Sequence, residues 1–152
     1  MTEKIFRIRR LKEKDLSEWF RLRKLLWDES TDDEHKSEMV DIYEHTDLQL
    51  VLVAETEEES IVGFLEASIR SFVEDCHTDN VGYLEGWFVE PRFRHHGIGG
   101  KLVEQAEKWA RSKGCQEMAS DSEIDNDSSI AVHQKIGYTE TSRLIHWRKD
   151  LK

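Results

Sequence analysis

The sequence predicts a single mixed α/β domain that spans residues 1–152. A chain of 152 residues fits one compact domain, and about two thirds of its unfolded surface can be buried at this size. Stretches with the period of a strand alternate along the chain with stretches of helical period. A glycine-rich turn also separates one predicted strand from an amphipathic helix. We find no internal repeat, low-complexity tract or linker.

The N-terminal third is predicted to contain one strand and two helices. Residues 4–10 (KIFRIRR) alternate apolar and polar side chains, which is typical of a half-buried strand. Asp15 or Ser17 is placed to cap the next helix. The apolar side chains of that helix are Leu16, Trp19, Phe20, Leu22, Leu25 and Leu26. An acidic loop at 28–34 (DESTDDE) then leads to a short helix near 34–45.

Three strands are predicted in the middle of the chain. Residues 48–54 (LQLVLVA) and 61–70 (IVGFLEASIR) are typical of an antiparallel pair joined by the polar turn ETEEES. The third strand, 81–89 (VGYLEGWFV), contains Gly82 and Gly86 at positions where side chains would normally pack. Glycine within a strand often marks a bulge, or the close approach of another backbone or a ligand.

The last elements begin with an amphipathic helix at 98–113 that Gly114 is predicted to stop. The buried face of this helix is predicted to carry Ile98, Leu102, Ala106 and Trp109. The elements that follow are a strand, a short helix and two terminal strands at 115–120, 128–136, 138–140 and 143–149. The predicted order is therefore βαα, three strands, α, β, α, ββ.

Composition and charge exclude several classes of protein. Five Trp, six Phe and three Tyr argue against intrinsic disorder. The chain has neither an apolar run of membrane-spanning length nor the apolar segment of a secretory signal, so we expect a cytoplasmic protein outside the membrane. A formal charge of -10 disfavours nucleic acid and anionic membranes and attracts cations. Cys76 and Cys115 lack CxxC spacing and a secretory context, so reduced thiols are expected.

The most informative segment is 94–101 (RHHGIGGK), a basic turn that connects a strand ending at Val89 to an amphipathic helix. A helix N-terminus presents unpaired backbone N–H groups and the positive end of the helix dipole. Glycines let such a backbone approach a diphosphate closely, and basic side chains add charge. The predicted pyrophosphate contacts are Arg94, His95, His96, Gly97, Ile98, Gly99, Gly100 and Lys101.

Other interpretations of this turn fit less well. A Walker loop needs a glycine where His95 stands, and the glycines do not follow the GxGxxG spacing of a dinucleotide site. An ordinary helix start remains the simplest alternative. His95 and His96 are adjacent and lack the helical spacing of metal ligands, so no metal is expected.

Two strings resemble signatures of the GCN5-related N-acetyltransferase (GNAT) superfamily. RHHGIG resembles its R/Q-x-x-G-x-G/A signature, and HQKIGY resembles its Y-x-K-x-G-F/Y segment. The resemblance implies a mixed, mostly antiparallel sheet that is splayed between its fourth and fifth strands and flanked by helices. It also implies that the turn binds the pyrophosphate of acetyl-CoA, and that the strand before the turn pairs with the pantetheine arm.

A closer resemblance is to the bacterial aminoglycoside 6'-N-acetyltransferases, which confer antibiotic resistance. It is carried by LRKLLW (22–27), YLEGWFVEPRFRHHG (83–97), EMASD (117–121) and VHQKIGY (132–138). The resemblance implies that Trp27 and Glu85 contact the substrate and that Asp121 lies beside the reacting amine. It implies pantetheine contacts from Trp87, Phe88, Val89 and Asn126. A tyrosine expected in the loop 71–80 is absent, and Phe72 is the nearest candidate without its hydroxyl.

The chemistry of acetyl transfer requires a neutral amine near the thioester and a stabilised or protonated leaving thiolate. Asp121 follows a predicted strand and Glu85 precedes Gly86, so both carboxylates are predicted to face one cleft as catalytic groups. The alternatives are a turn cap for Asp121 and a solvent-facing side chain for Glu85.

His133 departs from the superfamily pattern. Many members have a tyrosine at this position, four residues before the glycine, that protonates the leaving sulfur. We expect His133 to contact the cofactor, and a general acid or a buried structural histidine are the alternatives.

Acidic side chains are clustered in three loops. They are Asp28, Glu29, Asp32, Asp33 and Glu34, then Glu74, Asp75 and Asp79, and finally Asp121, Glu123, Asp125 and Asp127. In the expected fold the first and third loops flank the acceptor cleft, where they would steer a polycation. The alternative is that the charge serves only solubility.

The leading functional hypothesis is transfer of acetyl from acetyl-CoA to the 6'-amine of aminoglycosides, by direct attack in a ternary complex. The alternatives are acetylation of another polyamine, an amino sugar or a protein N-terminus, or a non-catalytic sensor that binds acetyl-CoA. The apolar segment 143–149 (RLIHWRK) also favours a homodimer formed by strand pairing.

Overall fold

A computed structural model describes residues 5–152 of the chain. It divides into two compact units, one that ends at Ser120 and one that comprises Asp121–Lys152. Within this described range, no helix combines the length and the apolar character needed to cross a membrane.

The first unit is built on one five-stranded sheet with the strand order β1-β2-β3-β4-β5. The strands are β1 (Phe6–Arg10), β2 (Gln49–Thr56), β3 (Ile61–Arg70), β4 (Val81–Val89) and β5 (Met118–Ser120). The first four strands pair antiparallel, and β5 pairs parallel with β4. That last pairing includes only Gly82, Tyr83 and Leu84 of β4, so the two strands separate beyond Leu84. The splay expected between the fourth and fifth strands is therefore confirmed.

The helices follow the apolar periods of the sequence. They are α1 (Leu16–Leu26), α2 (Asp32–Glu44) and α3 (Ile98–Ser112) in the first unit, and α4 (Asp127–Lys135) in the second. The predicted face of α3 is buried at Ile98, Leu102, Ala106 and Trp109. Gly114 follows this helix with φ 87°, which suits a helix stop. On α1, Trp19 and Leu22 are fully buried and pack in a core cluster with Val53 and Phe64 of the sheet.

The capping prediction for α1 is wrong. Asp15 does occupy the N-cap position, but its side chain accepts no hydrogen bond from the helix, and Ser17 lies inside α1. The Asp15 carboxylate instead accepts from Arg9 Nη1 at 2.7 Å and from the Lys12 amide at 2.8 Å. Arg9 is 9% exposed, and a buried guanidinium needs carboxylate partners because burying an unpaired charge is very costly.

The strand that carries Gly86 is irregular, as predicted. Glu66 of β3 pairs with Gly86 and the next residue, Ala67, pairs with Leu84. Glu85 is therefore the extra residue of a bulge in β4.

The prediction of terminal strands at 138–140 and 143–149 is wrong for this structure. In the second unit, residues 138–152 form neither helix nor strand. Leu144, Ile145 and Trp147 are 55%, 77% and 88% exposed. Local sequence favours extension here, but a strand also requires hydrogen bonds from a neighbouring strand. Residues 138–152 show no such strand within the second unit.

Candidate active site

The turn before α3 has the backbone geometry of an anion site. Gly97 is the N-cap residue of α3 with φ 80°, and His95 also has a left-handed φ of 68°. The Lys101 amide donates to the Gly97 carbonyl at 3.1 Å. The three residues before Lys101 lie in the first turn of α3. Their amides have no acceptor within the helix, because the carbonyl four residues earlier lies before the helix begins. These N–H groups and the helix dipole favour a bound anion.

The glycines leave space beside this backbone. A Cβ atom added at Gly97 or at Gly100 would meet nothing within 4 Å. At Gly99 the nearest atom would be Nε1 of Trp87, at 3.5 Å. This open surface next to peptide donors fits a diphosphate, which needs close backbone approach.

Two basic side chains belong to the turn. Arg94 Nε donates to the Val89 carbonyl at 2.7 Å, and its guanidinium lies 5.2 Å from the centre of the Phe88 ring. Arg94 therefore ties the turn to the end of β4. Lys101 is exposed on the first turn of α3, where it adds positive charge. His96 packs toward β1, with its ring centre 5.9 Å from that of Phe6.

The end of β4 leads directly into this turn. Trp87, Phe88 and Val89 pair with β3 on one side. β5 does not extend alongside these three residues, so the splay leaves a gap in the sheet next to them. An extended pantetheine arm fits such a gap, because it can hydrogen-bond to strand backbone.

Trp27 lies against the β4 bulge. It is the C-cap residue of α1 and is partly buried. A Cβ atom at Gly86 would lie 2.4 Å from Cζ2 of Trp27, so the ring occupies the space that a side chain at that position would need. The ring also makes an edge contact with Phe64, with the ring centres 5.9 Å apart. The acidic loop predicted at 28–34 begins directly after Trp27, and its five carboxylate side chains are exposed.

Glu85 is held by two side chains of β3. Its Oε2 accepts from the Ser68 hydroxyl at 2.5 Å, and its Oε1 accepts from Arg70 Nη2 at 2.7 Å. The Arg70 guanidinium in turn lies 3.5 Å from the centre of the Tyr83 ring. The carboxylate is 29% exposed, so it is reachable, but it already has a cation beside it.

Sequence analysis missed Ser68 and Arg70. Together with Glu66 they form an alternating polar row on one face of β3, because side chains two apart in a strand share a face. Polar residues at this period inside an otherwise apolar strand were the available signal.

Phe72 lies in the loop between β3 and β4 and is 71% exposed. The loop is fastened by Glu117, whose Oε1 accepts from the amides of His77 and Thr78 at 2.8 and 2.7 Å and from the Thr78 hydroxyl at 2.5 Å. The hydrogen bond from the Thr78 side chain is the main cause that lowers the pKa of Glu117 below its usual value.

The remaining predicted residues belong to the second unit. Asp121 directly follows β5 and is exposed. Asn126 caps α4, with its side-chain oxygen accepting from the Ser129 amide at 3.1 Å. His133 Nδ1 donates to the Ser129 carbonyl at 2.7 Å, and its ring makes an edge contact with Tyr138. The predicted cleft between Asp121 and Glu85 stays a prediction, and so do the cofactor contacts of Asn126 and His133. Across residues 5–152, no cluster of three or more His, Cys, Asp or Glu side chains is placed to hold a metal ion.

Comparisons with known proteins agree with this geometry. The sequence profile described as "Acetyltransferase (GNAT) family" matches residues 19–138. The chain is 38% identical over 146 residues to the aminoglycoside N(6')-acetyltransferase type 1 of Klebsiella aerogenes, covering 95% of this chain and 96% of that protein. It is 40% identical over 142 residues to the protein of the same name from Acinetobacter baumannii, covering 93% and 96%.

Solved structures show the same relationship. The structure of AAC(6')-Iy in complex with the bisubstrate analog CoA-S-monomethyl-acetylneamine matches with a TM-score of 0.90 and 37% identity, over 97% of this chain and 99% of that one. The crystal structure of the 6'-N-acetyltransferase AAC(6')-Ih from Acinetobacter baumannii matches with a TM-score of 0.90 and 39% identity, over 97% and 100%. The splayed sheet, the glycine turn and these matches together show that the chain belongs to the GNAT family of acetyltransferases.

Proposed function

We propose that the protein transfers the acetyl group of acetyl-CoA to the 6'-amine of aminoglycosides. The observation that carries the proposal is that two features of the candidate site lie along one strand, β4. Its bulge at Glu85 and Gly86 faces Trp27, and its end leads into the anion-binding turn. A donor that lies along the strand would bring its reactive end toward an acceptor bound at the bulge.

The donor side is supported by backbone donors and positive charge. Acetyl-CoA, when bound, supplies an acetyl group activated as a thioester. The first-turn amides of α3 would hold the diphosphate, with Arg94 and Lys101 adding charge and His95 and His96 flanking it. The backbone of Trp87, Phe88 and Val89 would receive the pantetheine arm. Asn126 and His133 are proposed as further contacts to the same cofactor.

The acceptor side is supported by an aromatic surface and a carboxylate on one face of the sheet. Trp27 would support the aminoglycoside ring, with Phe72 as a second aromatic contact. Glu85 would bind an ammonium group of the substrate. Ser68 and Arg70 donate four hydrogen bonds to this carboxylate, which fix its position for such a contact.

Asp121, which directly follows β5 and is exposed, is proposed as the proton acceptor. In the reaction, the amine nitrogen forms a bond to the acetyl carbon as the C–S bond breaks. The proton of the amine passes to Asp121, directly or through a water molecule. The sulfur leaves as the thiolate of CoA, and the Nδ1 hydrogen of His133 is donated to the Ser129 carbonyl.

The test is a CoA-release assay with a panel of acceptors. Aminoglycosides that carry a 6'-amine should be acetylated, and matched compounds with a 6'-hydroxyl should not. Linear polyamines and a peptide with a free N-terminus serve as the alternative acceptors. Acetylation that does not depend on the 6'-amine would contradict the proposed position of attack, and binding of acetyl-CoA without turnover would indicate a sensor.

We also propose that the protein is a cytoplasmic homodimer. Four apolar side chains of the second unit, Leu144, Ile145, Trp147 and Leu151, are between 55% and 90% exposed. A second copy would bury them and would supply a strand partner for this segment. Light scattering on the full chain should show a dimer, and Trp147→Asp should shift it toward the monomer. An unchanged mass in that variant would contradict this interface.

A further inference from the structure

A polar network lies buried behind Trp27. Arg23 of α1 is 1% exposed, His35 of α2 is not exposed at all, and Glu66 of β3 is 4% exposed. None of these three residues was predicted to serve the site. Buried charges are strongly disfavoured unless each one is paired and hydrogen-bonded, so their partners define what the network does.

Arg23 is the centre of the network. Its Nη1 donates to both carboxylate oxygens of Glu66, at 2.6 and 2.5 Å. Its Nε donates to Nδ1 of His35 at 3.2 Å, and its Nη2 pairs with Glu38 at the protein surface. Trp19 Nε1 also donates to Glu66, at 2.9 Å. The guanidinium and the carboxylate are therefore fixed from several sides.

His35 links Arg23 to the backbone of Trp27 through two hydrogen bonds. An arginine Nε can only donate a hydrogen bond, so the His35 Nδ1 that faces it must be the acceptor. The ring hydrogen is then on Nε2, which donates to the Trp27 carbonyl at 3.0 Å. One imidazole thus connects the buried ion pair to the residue at which α1 ends.

The ring of Trp27 is supported by the same network. The Arg23 guanidinium lies 4.8 Å from the centre of the Trp27 ring, within the range of a cation–π contact. The ring also packs against Gly86, where the absence of a side chain leaves the space that the ring fills. Backbone and ring of Trp27 are therefore both held relative to the β4 bulge.

The network is poorly explained by stability alone. Burial raises the pKa of Glu66 above its usual value even though Arg23 and Trp19 donate to it. Replacing a buried ion pair of this kind with apolar residues is often neutral or stabilising. A positional role is the alternative explanation.

We propose that His35 is a positioning residue for the transfer reaction. Arg23 and Glu66 fix the imidazole, and the imidazole fixes Trp27 against Gly86, which sets the shape of the acceptor site. The inference rests on the proposed contact between Trp27 and the aminoglycoside.

The test uses His35→Leu, His35→Gln and Trp27→Ala, each checked for folding by thermal unfolding. His35→Leu removes both hydrogen bonds and should raise the KM for the aminoglycoside about tenfold, because small displacements of a binding group are costly. The KM for acetyl-CoA should not change. His35→Gln places an amide donor near the position of Nε2 and should restore most of the loss.

A double-mutant cycle then separates this inference from the proposed function. If His35 acts through Trp27, then His35→Leu should cause no further loss of kcat/KM in the Trp27→Ala background. Full additivity of the two losses, or equal KM changes for both substrates, would overturn the positioning role while leaving the substrate contact intact. An unchanged aminoglycoside KM in Trp27→Ala itself would overturn the contact, and the inference with it.

Discussion

The close contact between Gly86 and Trp27 leads to a quantitative prediction for Gly86→Ala. The new Cβ would lie 2.4 Å from Cζ2 and 3.1 Å from Cη2 of Trp27, and 3.2 Å from Cδ2 of Leu26. Because carbon atoms pack at about 3.5 Å, the ring would have to retreat by about 1 Å. Overpacking of this kind costs about 1–3 kcal/mol. For a chain of this size that lowers the Tm by about 2–12 °C.

The effect on activity should be specific to the acceptor. Displacement of a substrate-binding group by about 1 Å lowers kcat/KM for the aminoglycoside by about 10- to 100-fold. The affinity for acetyl-CoA should be unchanged, since the turn before α3 is not touched. CoA release under saturating acetyl-CoA measures the first quantity, and calorimetric titration of acetyl-CoA measures the second.

Gly82→Ala is the matched control on the same strand. Its Cβ would lie 2.5 Å from Sδ of Met118 and 2.9 Å from Cβ of Ala110, so the steric conflict is similar but does not involve Trp27. This variant should lose thermal stability without a change in the aminoglycoside KM. The reasoning would be refuted if both variants changed that KM equally, or if Gly86→Ala retained wild-type kcat/KM while its Tm fell.

Three further predictions address other parts of the molecule. Asp121→Ala should lower kcat by about 10²- to 10⁴-fold with an unchanged Kd for acetyl-CoA, and equal losses in both would indicate a structural residue. Gly97→Val places a β-branched residue at φ 80° and fills the open space beside the turn, so calorimetry should show weaker acetyl-CoA binding; wild-type affinity would argue against the diphosphate site. The hydrogen bond from Arg9 holds the pKa of Asp15 below its usual 3.8, so Asp15→Asn should cost about 1–3 kcal/mol near neutral pH. Because the folded-state pKa is depressed, this difference is present above the unfolded pKa and disappears as the pH falls through the folded one; a pH-independent difference in denaturant unfolding would contradict it.

Features that depend on neighbouring residues in the sequence were predicted correctly, and features that depend on contacts between separate elements were not. β3 and β4 have the predicted bounds, since their apolar alternation and flanking turn residues are local. The side-chain cap of α1 was wrong, because the Asp15 carboxylate accepts from Arg9 of β1 and from the Lys12 amide instead of from the helix. The terminal strands were wrong for a related reason. The apolar pattern at 143–149 is real, but pairing is decided by which strand is adjacent.

The candidate site likewise contains one part that a short stretch of sequence predicts and one part that depends on contacts between strands. The glycine turn before α3 was predicted, and its positive φ angles at His95 and Gly97 are properties of a few consecutive residues. Its role as a diphosphate site stays a prediction. The partners of Glu85 were not predicted. They depend on the bulge that shifts the register between β3 and β4, and no short window of sequence contains both strands.

The amino-acid sequence by itself therefore determined the fold class, the glycine turn and the family signature, because each rests on chemistry within a short stretch of chain. Only the tertiary structure decided that Arg70 pairs with Glu85 and that Arg23, His35 and Glu66 converge behind Trp27. These contacts join residues from one helix to another and to the sheet, up to 43 positions apart. Their energies come from burial and from long-range hydrogen bonds, which exist only once the chain has folded.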